Sequence, residues 1–166
     1  PHGTFSKGIA RRVHEANREL LLHLPMEPKG YPEVNPGVGA LLTRMTEAEL
    51  LVTLRNNLDA FPHVKGVNNH MGSKFCEYEE KLRTVMRELK NRGLFFVDSR
   101  TTSGTQAFRV ARELKVPTAE RNVFLDNIQS PQAVRGQLKR LIHLARLKGE
   151  AIGIAHPHEV TLEVLK

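Results

Sequence analysis

Short apolar runs alternate with amphipathic helical stretches along this chain, and that alternation most restricts its fold. The runs are "ELLLHL" (19–24), "VKGVN" (64–68), "LFFVD" (94–98), "NVFLD" (122–126) and "AIGIAH" (151–156). They lack the polar-apolar alternation of a half-exposed strand, so they suit strands buried on both faces of a parallel sheet. From the second onward their starts recur at roughly thirty residues, the size of a βα unit. The pattern predicts an α/β domain, either barrel or open sheet.

The helical stretches carry their own punctuation. Ser6 is placed to cap a helix with Ile9, Val13 and Ala16 on one face. Thr46 and Glu49 form an S/T-x-x-E capping box before Leu50, Leu54 and Leu58. A third helix is predicted from about Glu77 to Asn91, with Tyr78, Leu82, Val85, Met86 and Leu89 inward and Gly93 as its stop. A fourth, over 104–114, carries Ala107, Val110 and Leu114. Ser130 and Pro131 open a fifth, which carries Val134, Leu138, Leu141, Ile142 and Ala145 and ends at Gly149. A short sixth begins near Glu159. Pro25 and the Pro/Gly-rich "PMEPKGYPEVNPGVGALLTRMT" argue against extending the first run. A connection of about twenty residues inside a compact domain is more often functional than idle.

Chain length and charge exclude some functions. At 166 residues one domain is expected. No apolar run is long enough to span a membrane, and the opening residues lack a signal-peptide core. The single cysteine, Cys76, rules out an intrachain disulfide and reads as a packing residue. The net charge of +7 invites a nucleic-acid reading. However, Lys and Arg are scattered and there is no Trp, which leaves few bases-on-aromatics contacts. A solvated basic surface is expected, with no specific nucleic acid as partner.

Most of the runs end in residues able to do chemistry: His23, Asn68-Asn69-His70, Asp98 and His156, with Asp126 closing the remaining one. Strand C-termini of parallel α/β proteins share one edge, where ligands bind. Imidazoles and a carboxylate gathered there suit zinc or a similar divalent ion, and a further imidazole suits proton donation to a departing amine. Asparagine amides would hold a ligand. Asp98 has a structural rival role, capping a turn formed by Ser99 and Arg100. Asp126 reads mainly as a loop residue, and His2, His14, His63, His143 and His158 as surface or incidental. No nucleophile elbow, P-loop or dinucleotide fingerprint is present.

The strings "LLHLPMEPKGYPEVNPG", "GVNNHMGSKF", "GLFFVDSRTT", "NVFLDN" and "AIGIAHP" resemble, in order, the divergent polysaccharide deacetylase family, a distant branch of the carbohydrate esterase superfamily. The likeness runs over essentially the whole chain and implies a distorted (β/α) barrel. It implies amide hydrolysis of N-acetylated polysaccharide with a divalent metal, zinc by preference, bound in the superfamily by an aspartate and two histidines. A neighbouring aspartate serves there as base and a late histidine as acid. Carried over by strand order, the resemblance implies His23 and His70 at the metal, with His156 and Asp98 in catalytic positions. Asn68, Asn69, Glu27 and Arg100 are then expected to contact substrate. Relatives begin with an "IDD"-like strand, whereas this chain opens at "PHGTF", like the end of a second barrel strand. The expectation is therefore a single domain over 1–166 that lacks its first strand, with exposed edges prone to self-association. An extracytoplasmic or periplasmic location is implied by the resemblance alone. The rival from another class is a non-catalytic carbohydrate-binding or cell-envelope partner protein on the same fold.

Overall fold

The computed structural model describes residues 5–166, so His2 and most of the opening "PHGTF" lie outside the described residues. The chain forms two compact units, one up to Ala119 and one from Glu120 to Lys166.

The first unit begins with α1 (Ser6–Glu15) and β1 (Leu21–Met26), followed by α2 (Glu47–Asp59) and β2 (Gly66–Met71). A 3-10 turn (Phe75–Glu77) leads into α3 (Glu79–Asn91), β3 (Phe95–Asp98), α4 (Ala107–Glu113) and β4 (Thr118–Glu120). These strands form one sheet in the order β1-β2-β3-β4. β1 and β2 are parallel from Leu21↔Gly66 to Met26↔Met71, and β2 and β3 are parallel from Gly66↔Phe95 to Asn68↔Val97. Strand order thus follows chain order, with no reversal of the kind that marks a doubly wound sheet. Leu22, Leu24, Met26, Val67 and Phe96 pack with Leu50, Leu54 and Leu58 of α2 and with Leu82, Val85, Met86 and Leu89 of α3 in one buried cluster.

The local signals act as the sequence predicts at several helix ends. Thr46 and Glu49 make both halves of the capping box, and Gly93 sits at positive φ behind α3. Other expectations are corrected. Phe5 rather than Ser6 stands at the N-cap position of α1 and makes no side-chain cap, and the helix buries none of its residues and leaves Ile9 exposed. α3 starts two residues late because the 3-10 turn precedes it, and Tyr78 becomes its exposed N-cap. β1 runs through Pro25 to Met26. A proline lacks the ladder N–H, but β1 is the edge strand, where that loss is tolerated. The long connection also returns to extend this edge. Leu41 N–H donates to the Pro25 carbonyl (2.9 Å), Glu27 N–H donates to the Leu41 carbonyl (2.9 Å), and Leu41 is fully buried. β2 likewise continues to Met71, and the turn comes only where Met71 and Gly72 adopt left-handed φ of 53° and 86°.

Gly66 marks the tightest point of the sheet. A Cβ there would lie 2.5 Å from the Phe95 ring. Gly66→Ala is expected to cost about 1–3 kcal/mol through overpacking, read as a lower urea midpoint. Phe95→Leu in the same background should restore part of that loss.

The second unit holds β5 (Val123–Phe124), α5 (Pro131–Lys148), β6 (Gly153–Ile154) and α6 (Glu159–Leu165). β5 and β6 pair in parallel, Val123↔Gly153 and Phe124↔Ile154, and are shorter than the apolar runs that contain them. Ser130 caps α5 through its hydroxyl, Pro131 opens the first turn, and Gly149 closes the helix at φ 85°. Of the apolar face expected on α5 only Val134 is buried, and Ile142 is exposed. No helix among the described residues is long and apolar enough to cross a membrane.

Candidate functional site

In a strand, alternate side chains share a face. Asn68 and His70 of β2 therefore point one way and Asn69 the other, which separates the two amides of "NNH" into different jobs. The β1–β2 register sets His23 beside Asn68. His23 Nδ1 lies 3.1 Å from Asn68 Oδ1, and His23 Nε2 lies 3.0 Å from His70 Nδ1. Asn68 in turn donates to Ser99 Oγ (3.3 Å). An amide oxygen only accepts, so the His23–Asn68 contact places the ring proton on Nδ1 and the lone pair on Nε2, facing His70. Two imidazole nitrogens at this spacing share either a proton or a cation.

Because β1 is longer than its apolar run suggests, His23 sits mid-strand rather than at the strand end. Asn69, almost fully buried, accepts from Ser99 N–H (2.8 Å) and donates to the Met71 carbonyl (2.8 Å), and so ties the ends of β2 and β3 together. Met71 and Arg100, each directly behind this edge, adopt left-handed φ of 53° and 49°. Such strain in residues other than glycine concentrates at functional edges.

The carboxylates expected here face inward. Asp98 has no exposed surface. Its Oδ1 accepts from Arg100 N–H (2.8 Å), and Oδ2 accepts from the Thr105 hydroxyl (2.9 Å) and Phe108 N–H (3.3 Å). Asp98 therefore fixes the turn and the start of α4. Glu27 is also buried. Oε1 takes the Lys74 ammonium at 2.6 Å, and Oε2 takes the hydroxyl and N–H of Thr43. Burial opposes its charge, but the Lys74 and Thr43 hydrogen bonds outweigh that and hold its carboxyl below the usual range. Glu27 thus pins the long connection to the segment after β2. Cys76 is fully buried, and burial pushes its thiol up, so it stays a neutral packing group. Arg100 is exposed.

In the second unit, Asp126 is 3% exposed. Its Oδ2 accepts from His156 N–H (2.5 Å) and the Thr161 hydroxyl (3.0 Å), and its Oδ1 lies 3.1 Å from His156 Nδ1. Burial works against the Asp126 charge, yet these hydrogen bonds lower its pKa below the ordinary aspartate value. The His156 side chain is 58% exposed, and its ring stacks parallel to Phe124 at 6.2 Å between centroids. Arg121 lies over the other ring of that pair, 4.1 Å from the Phe124 centroid. His158 joins the cluster: ligand atoms of Asp126, His156 and His158 all lie within 4.8 Å of one another. Among the described residues this is the group of three such side chains able to hold a metal ion, and two imidazoles with one carboxylate are a donor set that zinc accepts.

Asp126, expected as a loop residue, does lie in the loop after β5, and His158, expected at the surface, is half-buried; both belong to this cluster. A signal was present in "HPH": residues i and i+2 of an extended segment share a face, and His158 is extended at φ −72°, ψ 146°.

Parallel βα units with imidazoles on the β1–β2 edge in the first unit, and a buried Asp against an exposed His after β5 and β6 in the second, define an α/β protein with a polar cluster in each unit. More particularly, the chain belongs to the divergent polysaccharide deacetylase family, whose model matches residues 1–166. It is 36% identical over 166 residues to YibQ, an uncharacterized protein of Escherichia coli (strain K12), and 31% identical over 166 residues to an uncharacterized protein of Haemophilus influenzae. Both alignments take in all of this chain but only 51% and 59% of those relatives, so it spans little more than half their length. The crystal structure of the uncharacterized protein ATU2773 from Agrobacterium tumefaciens C58 matches with a TM-score of 0.94 at 27% identity, covering 99% of this chain and 67% of that one.

Proposed function

We propose that this chain is a hydrolase domain that cleaves the amide of N-acetylated polysaccharide and releases acetate. The observation that carries the proposal is the pairing of Asp126 with His156. A buried, ionised carboxylate holds Nδ1 of an imidazole whose ring is exposed. That contact keeps the Nδ1 proton on the Asp126 side and stabilises the imidazolium, so that Nε2–H can be given to a departing amine. In the reaction, water adds to the acetyl carbonyl and the C–N bond of the tetrahedral adduct breaks. The Nε2 proton of His156 passes to the amine nitrogen, acetate leaves, and the two protons of the added water pass to solvent, one of them returning to the imidazole.

His23 Nε2 and His70 Nδ1 are the nitrogens proposed to hold a divalent metal, zinc by preference, with Asn68 fixing the His23 tautomer. An ion bound there would supply Lewis-acid chemistry and acidify its bound water. Asp98 and Asn69 position the edge rather than touch substrate, and Arg100 behind β3 is proposed to meet sugar hydroxyls. The sequential strand order supports a distorted (β/α) barrel as the architecture.

A binding-only role on the same fold has one observation in its favour: no carboxylate or thiol completes a set of three around His23 and His70 among the described residues. Acetate release from N-acetylated oligosaccharides, measured beside binding calorimetry, separates the two. Release with zinc present supports the hydrolase. Binding heat without release, at zinc up to millimolar, replaces it with the binding protein.

A further inference from the structure

We propose that Asp126, His156 and His158 form a divalent-cation site of their own, for zinc or copper, and that its occupation silences His156. The cation site rests on the geometry of the second unit alone. Its effect on His156 rests on the acid role argued above.

Three features make this cluster a site rather than a chance grouping. The first is division of labour on Asp126. Oδ2 is held by His156 N–H and the Thr161 hydroxyl, which orients the carboxylate and leaves Oδ1 directed at the imidazole. Outer-shell hydrogen bonds of this kind are what fix a ligating carboxylate. The second is spacing. Oδ1 and His156 Nδ1 are 3.1 Å apart. Ligand atoms about 2.0–2.1 Å from a tetrahedral zinc are separated by roughly 3.4 Å, so a shift of a few tenths of an ångström admits the ion. His158 follows after Pro157, and its ring centroid is 5.6 Å from that of His156.

The third feature is an outer partner for His158. The Gln129 side-chain amide lies 3.2 Å from His158 Nε2. As placed, the amide nitrogen donates to Nε2, a contact that fixes the orientation of the His158 ring. Two imidazoles and one carboxylate favour zinc or copper over magnesium or calcium, which take oxygen ligands. His156 is exposed, so water can complete the coordination.

A cation on His156 Nδ1 displaces the proton that Nδ1 directs at Asp126 and leaves a neutral ring with its only proton on Nε2. That ring cannot become the imidazolium that gives a proton to an amine. Excess zinc therefore inhibits at the same centre that hydrolysis uses, separately from any ion held by His23 and His70.

The test is titration of the 166-residue chain with Co²⁺ and Zn²⁺, read by visible d–d absorption and calorimetry. Wild type is compared with His158→Ala, His158→Gln and His70→Ala, each checked for folding by circular dichroism. A nitrogen-ligated Co²⁺ spectrum that weakens at least tenfold in affinity in both folded His158 variants and persists in His70→Ala is the expected result. Affinity unchanged in either His158 variant, or lost only in His70→Ala, overturns the site whatever the acetate assay gives. Site-specific binding, with no acetate release from wild type even at zinc concentrations too low to fill this site, leaves the cation site standing and removes the acid role. Release that is insensitive to saturating zinc at an occupied site overturns the silencing of His156.

Discussion

Replacing His156 by alanine is expected to lower acetate release by on the order of 10²–10⁴-fold, the range associated with losing a general acid. Stability should fall by about 1–3 kcal/mol, because the buried Oδ1 of Asp126 loses its imidazole partner. Asp126→Asn tests the other half of the pair. Its amide can still accept from one donor, but it carries no charge to stabilise the imidazolium, so release should fall in the same direction while KM changes little. Like the His156 change, it should also cost about 1–3 kcal/mol, because a buried acceptor with several donors is altered.

The Asp126 pKa is lowered in the folded chain, so its ion contributes stability above the unfolded aspartate value of about 3.9 and loses it as pH falls through the folded value. Acid unfolding of Asp126→Asn should accordingly be shallower than that of wild type below about pH 4. A steady-state profile for both variants, with urea melts at pH 7 and pH 3, checks these outcomes together. Full turnover in His156→Ala would remove the acid assignment.

Asp98→Ala is expected to have the largest effect on folding, about 3–5 kcal/mol, because it strips a fully buried carboxylate from donors on two sides. The Arg100 and Phe108 N–H groups and the Thr105 hydroxyl all lose their acceptor, and the start of α4 loosens with them. Asp98→Asn separates structure from chemistry. Its oxygen can serve Arg100 and its NH₂ can donate to the Thr105 hydroxyl, but Phe108 N–H then meets a donor. A cost of about 1–2 kcal/mol follows. If Asp98→Asn folds at wild-type stability, the capping role described for this carboxylate is wrong.

The contrast between Asp98 and Asp126 shows how far a sequence can be read for chemistry. Both follow an apolar run, and both were visible as carboxylates at strand ends. Asp98 turns back into its own loop because Thr105 and Phe108 fold over it. Asp126 meets an imidazole thirty residues later because β5 and β6 pair in parallel. Nothing within either loop distinguishes these outcomes. Glu27 makes the same point: its partners Thr43 and Lys74 arrive from two separate connections.

The sequence by itself determined the alternation of strand and helix, the Thr46–Glu49 box, the Ser130–Pro131 start and Gly149 end of α5, and the buried faces of α2 and α3. Those features depend on periodicity and on hydrogen bonds within a few residues, so the chain states them locally. Tertiary structure alone decided that β1 continues past Pro25, that His23 therefore lies beside Asn68 and His70, that Asp98 and Glu27 are buried, and that His158 joins Asp126 and His156. Register and burial are set by which segments pair across tens of residues, and a strand side chain changes face with a shift of one residue.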